Sequence, residues 1–189
     1  MHNIIKYLYG EIQWVKFKQT KMKSKLVLFL VFVFTISIYG QEFENGTIVT
    51  KHYDTIANVQ IKKLNDSKSL LHITYIDEQG NKQSPDIETI KCYNRGADIY
   101  SRIYNSGEMI LAKKVVNGEK LNLYERHTNG STTYYIEKVY DELIKVPSSS
   151  KKFKKVIGSF LSDAPQISSQ IESKQLVDIE EIVNLYNKG

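Results

Sequence analysis

The stretch 94-NRGADIYSRIYNSGEMILAKKVVNGEKLNLYERHTNG-130 decides the fold. Turn signals recur in it as Asn94-Arg95-Gly96, Asn105-Ser106-Gly107, Asn117-Gly118 and Asn129-Gly130, with glycines 11, 11 and 12 residues apart. Asn-Gly is a strong hairpin signal because both central positions of a type I′ turn need positive φ. Strands at this spacing make an antiparallel meander. The pattern predicts strands near Asp98–Tyr104, Met109–Val116, Lys120–Arg126 and Thr132–Val139, with one more at Leu143–Val146. Leu121 and Leu123 fall on one side of their strand. Lys120, Asn122, Tyr124 and Arg126 fall on the other, so one face is expected dry and one partly wet.

Upstream, Thr47–Tyr53, Ile56–Lys62 and Leu70–Ile76 have the branched and aromatic content of strands. Asp54-Thr55, Asn65-Asp66-Ser67 and Gln79-Gly80-Asn81 punctuate them as turns, and Ser84-Pro85-Asp86 as a loop. This makes about seven to nine strands in all, in a meander that is expected to be curled or barrel-like.

Downstream of Pro147 the apolar period changes from 2 to 3.6. Phe153, Val156, Ile157, Phe160 and Leu161 make a full stripe, with Ser150 as the expected cap. Asp163 is expected to cap a second helix that has Pro165 in its first turn and Ile167 and Ile171 inward. Asp178 and Glu181 form a D-x-x-E capping box, with Val177 and Ile182 placed as a hydrophobic staple. Ile179, Ile182, Val183 and Tyr186 are the stripe of the third helix. Strands followed by helices read as α+β, with residues 41–148 as the β-rich region and 149–189 as helices packed on it in one domain.

Ahead of this lies Met22–Gln41, MKSKLVLFLVFVFTISIYGQ, with the layout of an export signal. Lys23 and Lys25 precede the apolar core Leu26–Ile38, and Gly40 is the small residue before a cut near Gly40-Gln41. That core would span about 20 Å as a helix, short of the roughly 30 Å hydrocarbon layer, which favours a cleaved signal over an anchor. Residues 1–21 read as a mis-called extension ahead of a true start at Met22. The protein is therefore expected in the periplasm or beyond, and at a membrane only if the signal is kept.

The first 40 residues carry six lysines and one glutamate out of 26 basic and 21 acidic side chains, which leaves 20 of each for the remainder. A neutral domain argues against nucleic acid as a partner. Charges on both faces of the strands holding Lys113-Lys114 and Glu137-Lys138 argue against a membrane barrel. Cys92, the single cysteine, permits no internal disulfide and reads as a small buried filler.

No residue set stands out as catalytic. His52, His72 and His127 have none of the spacings that hold a metal, and neither a metal nor a cofactor is expected. No G-x-S-x-G elbow or phosphate loop occurs. Asp77-Glu78, Asp141-Glu142 and Glu180-Glu181 read as solvated turn and helix-start charges. Lys151, Lys152, Lys154 and Lys155 read as a solvated helix face, with contact to an anionic lipid or polysaccharide as the sharper alternative. Tyr124, Tyr134 and Tyr135 are the candidates for an aromatic surface that binds sugar or peptide.

The run Phe153-Lys154-Lys155-Val156 through Phe160-Leu161-Ser162-Asp163-Ala164-Pro165, ending in Ile182-Val183-Asn184-Leu185-Tyr186-Asn187, resembles a group of small exported bacterial proteins of unknown function. They have a signal ending in Tyr-Gly-Gln, a β-rich middle and a helical tail. The resemblance spans most of residues 22–187 and implies a layout, not a catalytic residue. The resulting expectation is an exported envelope protein that binds an envelope protein, glycan or small ligand without catalysis. The alternatives are a periplasmic hydrolase assembled only in three dimensions, and a carrier of a small apolar ligand.

Overall fold

The computed structural model describes residues 42–139 and 141–189, so the expected leader lies outside the described residues. Ten strands form one antiparallel sheet: β1 (Phe43–Thr50), β2 (Thr55–Lys62), β3 (Tyr75–Ile76), β4 (Lys82–Gln83), β5 (Ile90–Arg95), β6 (Asp98–Asn105), β7 (Glu108–Val116), β8 (Leu121–Thr128), β9 (Ser131–Lys138) and β10 (Leu143–Lys145). Their order is β10-β9-β8-β7-β6-β5-β1-β2-β3-β4, a meander from β5 onward with the first four strands added beyond β5. A short helix, α1 (Asp66–Ser69), interrupts the upstream half. Three more follow the sheet: α2 (Ser150–Phe160), α3 (Pro165–Glu172) and α4 (Ile179–Lys188). The α+β reading and the meander hold.

Two turns are made as their residues dictate. Ser106 and Gly107 have φ of 49° and 96°, and Asn129 and Gly130 have 50° and 76°, the paired positive values of tight hairpins. Two others depart from expectation. Arg95 belongs to β5 and is buried, so the first turn is made by Gly96 and Ala97. Neither Asn117 nor Gly118 takes a positive φ, and a longer loop joins β7 to β8. The glycine is needed for space instead: a β-carbon at Gly118 would collide with the side chain of Asn187 and with Leu121 O. Asn187, near the end of α4, accepts from the amides of Lys120 (3.0 Å) and Leu121 (2.9 Å). It also donates to the carbonyls of Leu121 (2.8 Å) and Val183 (3.0 Å), so one side chain pins the last helix to this loop.

β10 lies against β6 as well as against β9, so the meander curls without closing. Inside the curl pack Ile103, Ile110, Ala112, Tyr124 and Tyr135, with Leu143 against them. On the opposite side of β8 and β9, Leu121, Leu123 and Ile136 join Ile157, Leu161, Ile171, Ile182 and Val183 of the helices. A shift of register between Lys114 and Val116 lets both Val115 and Val116 pack on that helical cluster. The face expected to be partly wet is dry at Asn122 and Tyr124, while Lys120 is exposed and Arg126 half-buried. The curl supplies the burial that an open sheet would not.

The third cluster lies at the other end of the sheet, around Ile48, Val59, Ile61, Ile90 and a stacked cross-strand pair, Tyr93 and Tyr100, with ring centroids 4.6 Å apart. Leu70 and Ile73 cover it, but not from a strand. The expected strand Leu70–Ile76 is reduced to Tyr75–Ile76, because Asn65 caps α1 through the Lys68 amide and turns the chain over the cluster. Leu71 is 55% exposed, while Leu70 and Ile73 are buried.

Helix starts are shifted in two cases. Ser149, not Ser150, holds the cap position of α2, and its side chain makes no cap bond. Ala164 holds that of α3, while Asp163 turns to Lys138 and Tyr186. Asp178 does cap α4, accepting from the Glu181 amide. The staple is absent: Val177 is 64% exposed and Leu176 takes the buried place beside it.

Replacing Gly118 with Ala should cost about 1–3 kcal/mol through overpacking. Asn187→Ala should cost roughly 2 kcal/mol or more through the unpaired loop groups. Urea unfolding of the two variants measures both, and midpoints equal to that of the parent would remove the clamp from the account.

Candidate functional site

Two places combine accessible polar groups with a defined geometry. The first is an open groove of about 860 Å³ between β9, the end of β10 and the start of α2. Ser131, Thr132 and Thr133 line it from one side, and Ser148 and Ser149 from the other. Tyr134 supplies an aromatic wall, and Lys145 and Lys152 supply positive charge. The chain enters the groove through Pro147, which stops β10 from continuing and sets the direction of the segment that leads into α2. Of the tyrosines singled out from the sequence, Tyr134 lines this groove, while Tyr124 and Tyr135 are 3% and 4% exposed and fill the curl.

The second place is a polar seam on the helix-covered face, where the two large apolar clusters do not meet. Its centre is Lys113 on β7, whose ammonium stands 3.1 Å from Asp98 Oδ1 and 3.6 Å from Asp66 Oδ1. Asp98 also receives Arg95 Nη2 at 3.3 Å. Asp66 comes from α1, which lies against β8, and it accepts from the Tyr100 hydroxyl at 3.2 Å. Glu125 and His127 alternate on β8 and so share a face. His127 Nε2 stands 3.4 Å from Glu125 Oε1 and 3.8 Å from Asp66 Oδ2. Its Nδ1 is 2.8 Å from the hydroxyl of Thr132, the residue opposite on β9. Thr132 thereby touches both places, since it also lines the groove.

Burial works against ionisation of Asp98, but the hydrogen bond and charge of Lys113, with Arg95 behind it, outweigh this and hold its carboxyl below the ordinary value. Burial likewise opposes the charge on Lys113, and Asp98 and Asp66 reverse the effect and raise it. Inside the curl the balance differs. Burial and the hydrogen bond to Glu137 raise the Tyr124 hydroxyl, which donates to that carboxylate at 2.6 Å. Burial lowers Lys114, whose ammonium stands 5.3 Å from the centre of the Tyr124 ring.

The remaining sequence candidates are dispersed. His52 and His72 are exposed, and His72 follows α1 in a loop, not in a strand. Asp77 binds the amides of Gln79 and Asn81 in its own turn. Glu180 and Glu181 sit in the first turn of α4, where the helix dipole favours them. Lys151 and Lys155 are exposed, and Lys154 donates to the carbonyl of Glu172 at the end of α3. Cys92 is a free, half-buried thiol.

Sequence reading missed the seam. Glu125-Arg126-His127 on a strand puts an acid and a histidine on one face, and that signal was legible. Asp66 lies 59 to 61 residues upstream of them, where no local pattern points to it.

The chain matches no family model, and no curated protein or solved structure matches it at a significant level. Among the described residues no helix is long and apolar enough to cross a membrane.

Asp98 has a folded pKa below 3.8, so its stabilisation is complete above that value and is lost as pH falls through the lowered one. Lys113 has a folded pKa above 10.5, so its contribution is complete below 10.5 and is lost as pH rises through the raised value. The urea midpoint of the protein should show both limbs. Asp98→Asn should flatten the acid limb, and an unchanged acid limb in that variant would count against the pairing.

Proposed function

We propose that this chain is an exported, non-enzymatic binding module of a bacterial cell envelope, released after a cut near Gly40-Gln41. It takes a hydroxylated, anionic ligand in the groove beside Tyr134, and an acidic polysaccharide segment has the chemistry that fits. The groove's lining carries the reading. Among the described residues its lining has five Ser and Thr residues, two lysines and a tyrosine, and no carboxylate. Hydroxyls and an aromatic wall suit a sugar ring, which has a polar rim and an apolar face. The two lysines add a preference for negative charge in an otherwise neutral domain. The groove is open at the surface, which suits a polymer passing across it. The signal-like layout of Met22–Gln41 and the resemblance of the tail to small exported proteins support the same placement.

The test uses protein recovered from its native envelope. Its denatured mass should match residues 41–189. Calorimetric titration should show binding of polygalacturonate and none of neutral dextran. Lys145→Ala with Lys152→Ala should weaken that binding at least tenfold, and Tyr134→Ala severalfold. Equal behaviour of the two polymers, or a lysine variant that binds as the parent does, would overturn the groove assignment. A mass that retains residues 22–40 would overturn release.

A further inference from the structure

We propose that Asp66, Glu125 and His127 form a binding site for a divalent metal ion of the zinc class, fastening α1 to β8 and leaving one coordination position open. This departs from the expectation of no metal drawn from the sequence. It does not rest on the groove reading, although Thr132 borders both places.

The distances carry the argument first. Each of the three residues offers one ligand atom, and these atoms lie within 4.8 Å of one another. The Nε2 atom of His127 stands 3.4 Å and 3.8 Å from the two carboxylate oxygens. A charge-assisted hydrogen bond would close to about 2.7–2.9 Å. Donor atoms around a tetrahedral zinc ion, with bonds of roughly 2.0–2.2 Å, stand about 3.3–3.5 Å apart. The imidazole thus makes no close hydrogen bond to either carboxylate: its 3.4 Å separation from Glu125 is that of a coordination edge, while the 3.8 Å to Asp66 and the third separation, within 4.8 Å, need Asp66 to draw in as the ion binds.

The second argument is how each side chain divides its polar atoms. Asp66 gives Oδ1 to the Tyr100 hydroxyl at 3.2 Å and to Lys113 at 3.6 Å, and turns Oδ2 toward His127. His127 gives Nδ1 to the Thr132 hydroxyl at 2.8 Å and turns Nε2 toward both carboxylates. Metal-binding imidazoles and carboxylates are commonly oriented in this way, with the second polar atom held by an outer partner. Lys113 does not fill the position itself. It contacts the far oxygen of Asp66 and shares its charge with Asp98. An imidazole with two carboxylates suits zinc better than magnesium or calcium, which take oxygen ligands. Three protein ligands are the complement of an open zinc site, not of a closed structural one.

The placement also gives the ion a structural effect. Glu125 and His127 lie on β8, at the middle of the meander, and Asp66 lies on a four-residue helix that is too short to be stable alone. An ion bound to all three would add stability to the native state by mass action.

Zinc chloride titrated calorimetrically into the full chain, freed of metal with a chelator, should show one equivalent bound and a raised unfolding temperature. Cobalt(II) should give a visible absorption band of tetrahedral intensity. His127→Ala, Glu125→Gln and Asp66→Asn should each weaken zinc binding at least tenfold, and Thr132→Val about tenfold through lost orientation of the ring. Asp98→Asn, in the same seam but not among the ligands, should bind zinc as the parent does. Circular dichroism of each variant separates loss of the site from loss of the fold, and Glu125→Gln keeps shape and volume should His127→Ala unfold. Binding by His127→Ala and Glu125→Gln equal to the parent's would overturn the site. So would the absence of a zinc-dependent shift in the parent, leaving His127 as an ion-pairing residue.

Discussion

The guanidinium of Arg95 is the constraint on which the upstream half of the structure depends. It ends β5 with 4% of its side chain exposed. A charge taken that far out of water costs several kcal/mol unless it is paired and hydrogen-bonded. Arg95 meets that demand with the Leu64 carbonyl (3.2 Å), Ser69 Oγ (3.1 Å), Tyr100 hydroxyl (3.1 Å) and Asp98 (3.3 Å), with Glu44 3.6 Å from its Nε. Two of these partners belong to the segment around α1, which pairs with no strand. The Tyr93 hydroxyl adds a bond to the Ser69 carbonyl at 2.7 Å. Side chains rising from the sheet thus satisfy the backbone that a further strand would otherwise have to satisfy. The same anchoring lays α1 against β8 and brings Asp66 to His127.

The downstream half depends on a different device. The helices would not be stable apart from the sheet, and their apolar stripes meet Leu121, Leu123 and Ile136 there. Asn187 then fixes the last helix in register with the β7–β8 loop. The two halves are built on one sheet but covered by different means, and the polar seam of Lys113, Asp98 and Asp66 runs between the covers. Charged groups gather there because neither apolar cover reaches that far. The seam is partly wet, so its pairs need less compensation than Arg95 does.

The meander was legible because its signals are local: turn residues at a fixed period, and strands between them. The helical tail was legible for the same reason, in the stripe of Phe153, Ile157, Phe160 and Leu161 and the cap at Asp178, although Val156 of the expected stripe is exposed. Reading failed where a long-range contact replaced a local rule. Leu70–Ile76 has the composition of a strand, yet Arg95 and Tyr93 hold the chain there in another conformation. Gly118 carries a turn signal, but its glycine makes room for Asn187, 69 residues later. Asp163 has the chemistry of a cap and gives it to Lys138 and Tyr186 instead. Tyr124 alternates onto a face that the curl has made into a second interior, which no strand pattern could announce. The candidate sites follow the same rule. Tyr134 was reachable from composition, and Glu125 with His127 from alternation, but Asp66 needed the fold.

Hydrogen exchange of Arg95→Met, followed by mass spectrometry, tests this dependence most directly. The account predicts that amides of residues 63–76 lose protection by orders of magnitude while those of β8 and β9 keep theirs. Unchanged protection over residues 63–76 would contradict it, and so would an equal loss across the whole sheet.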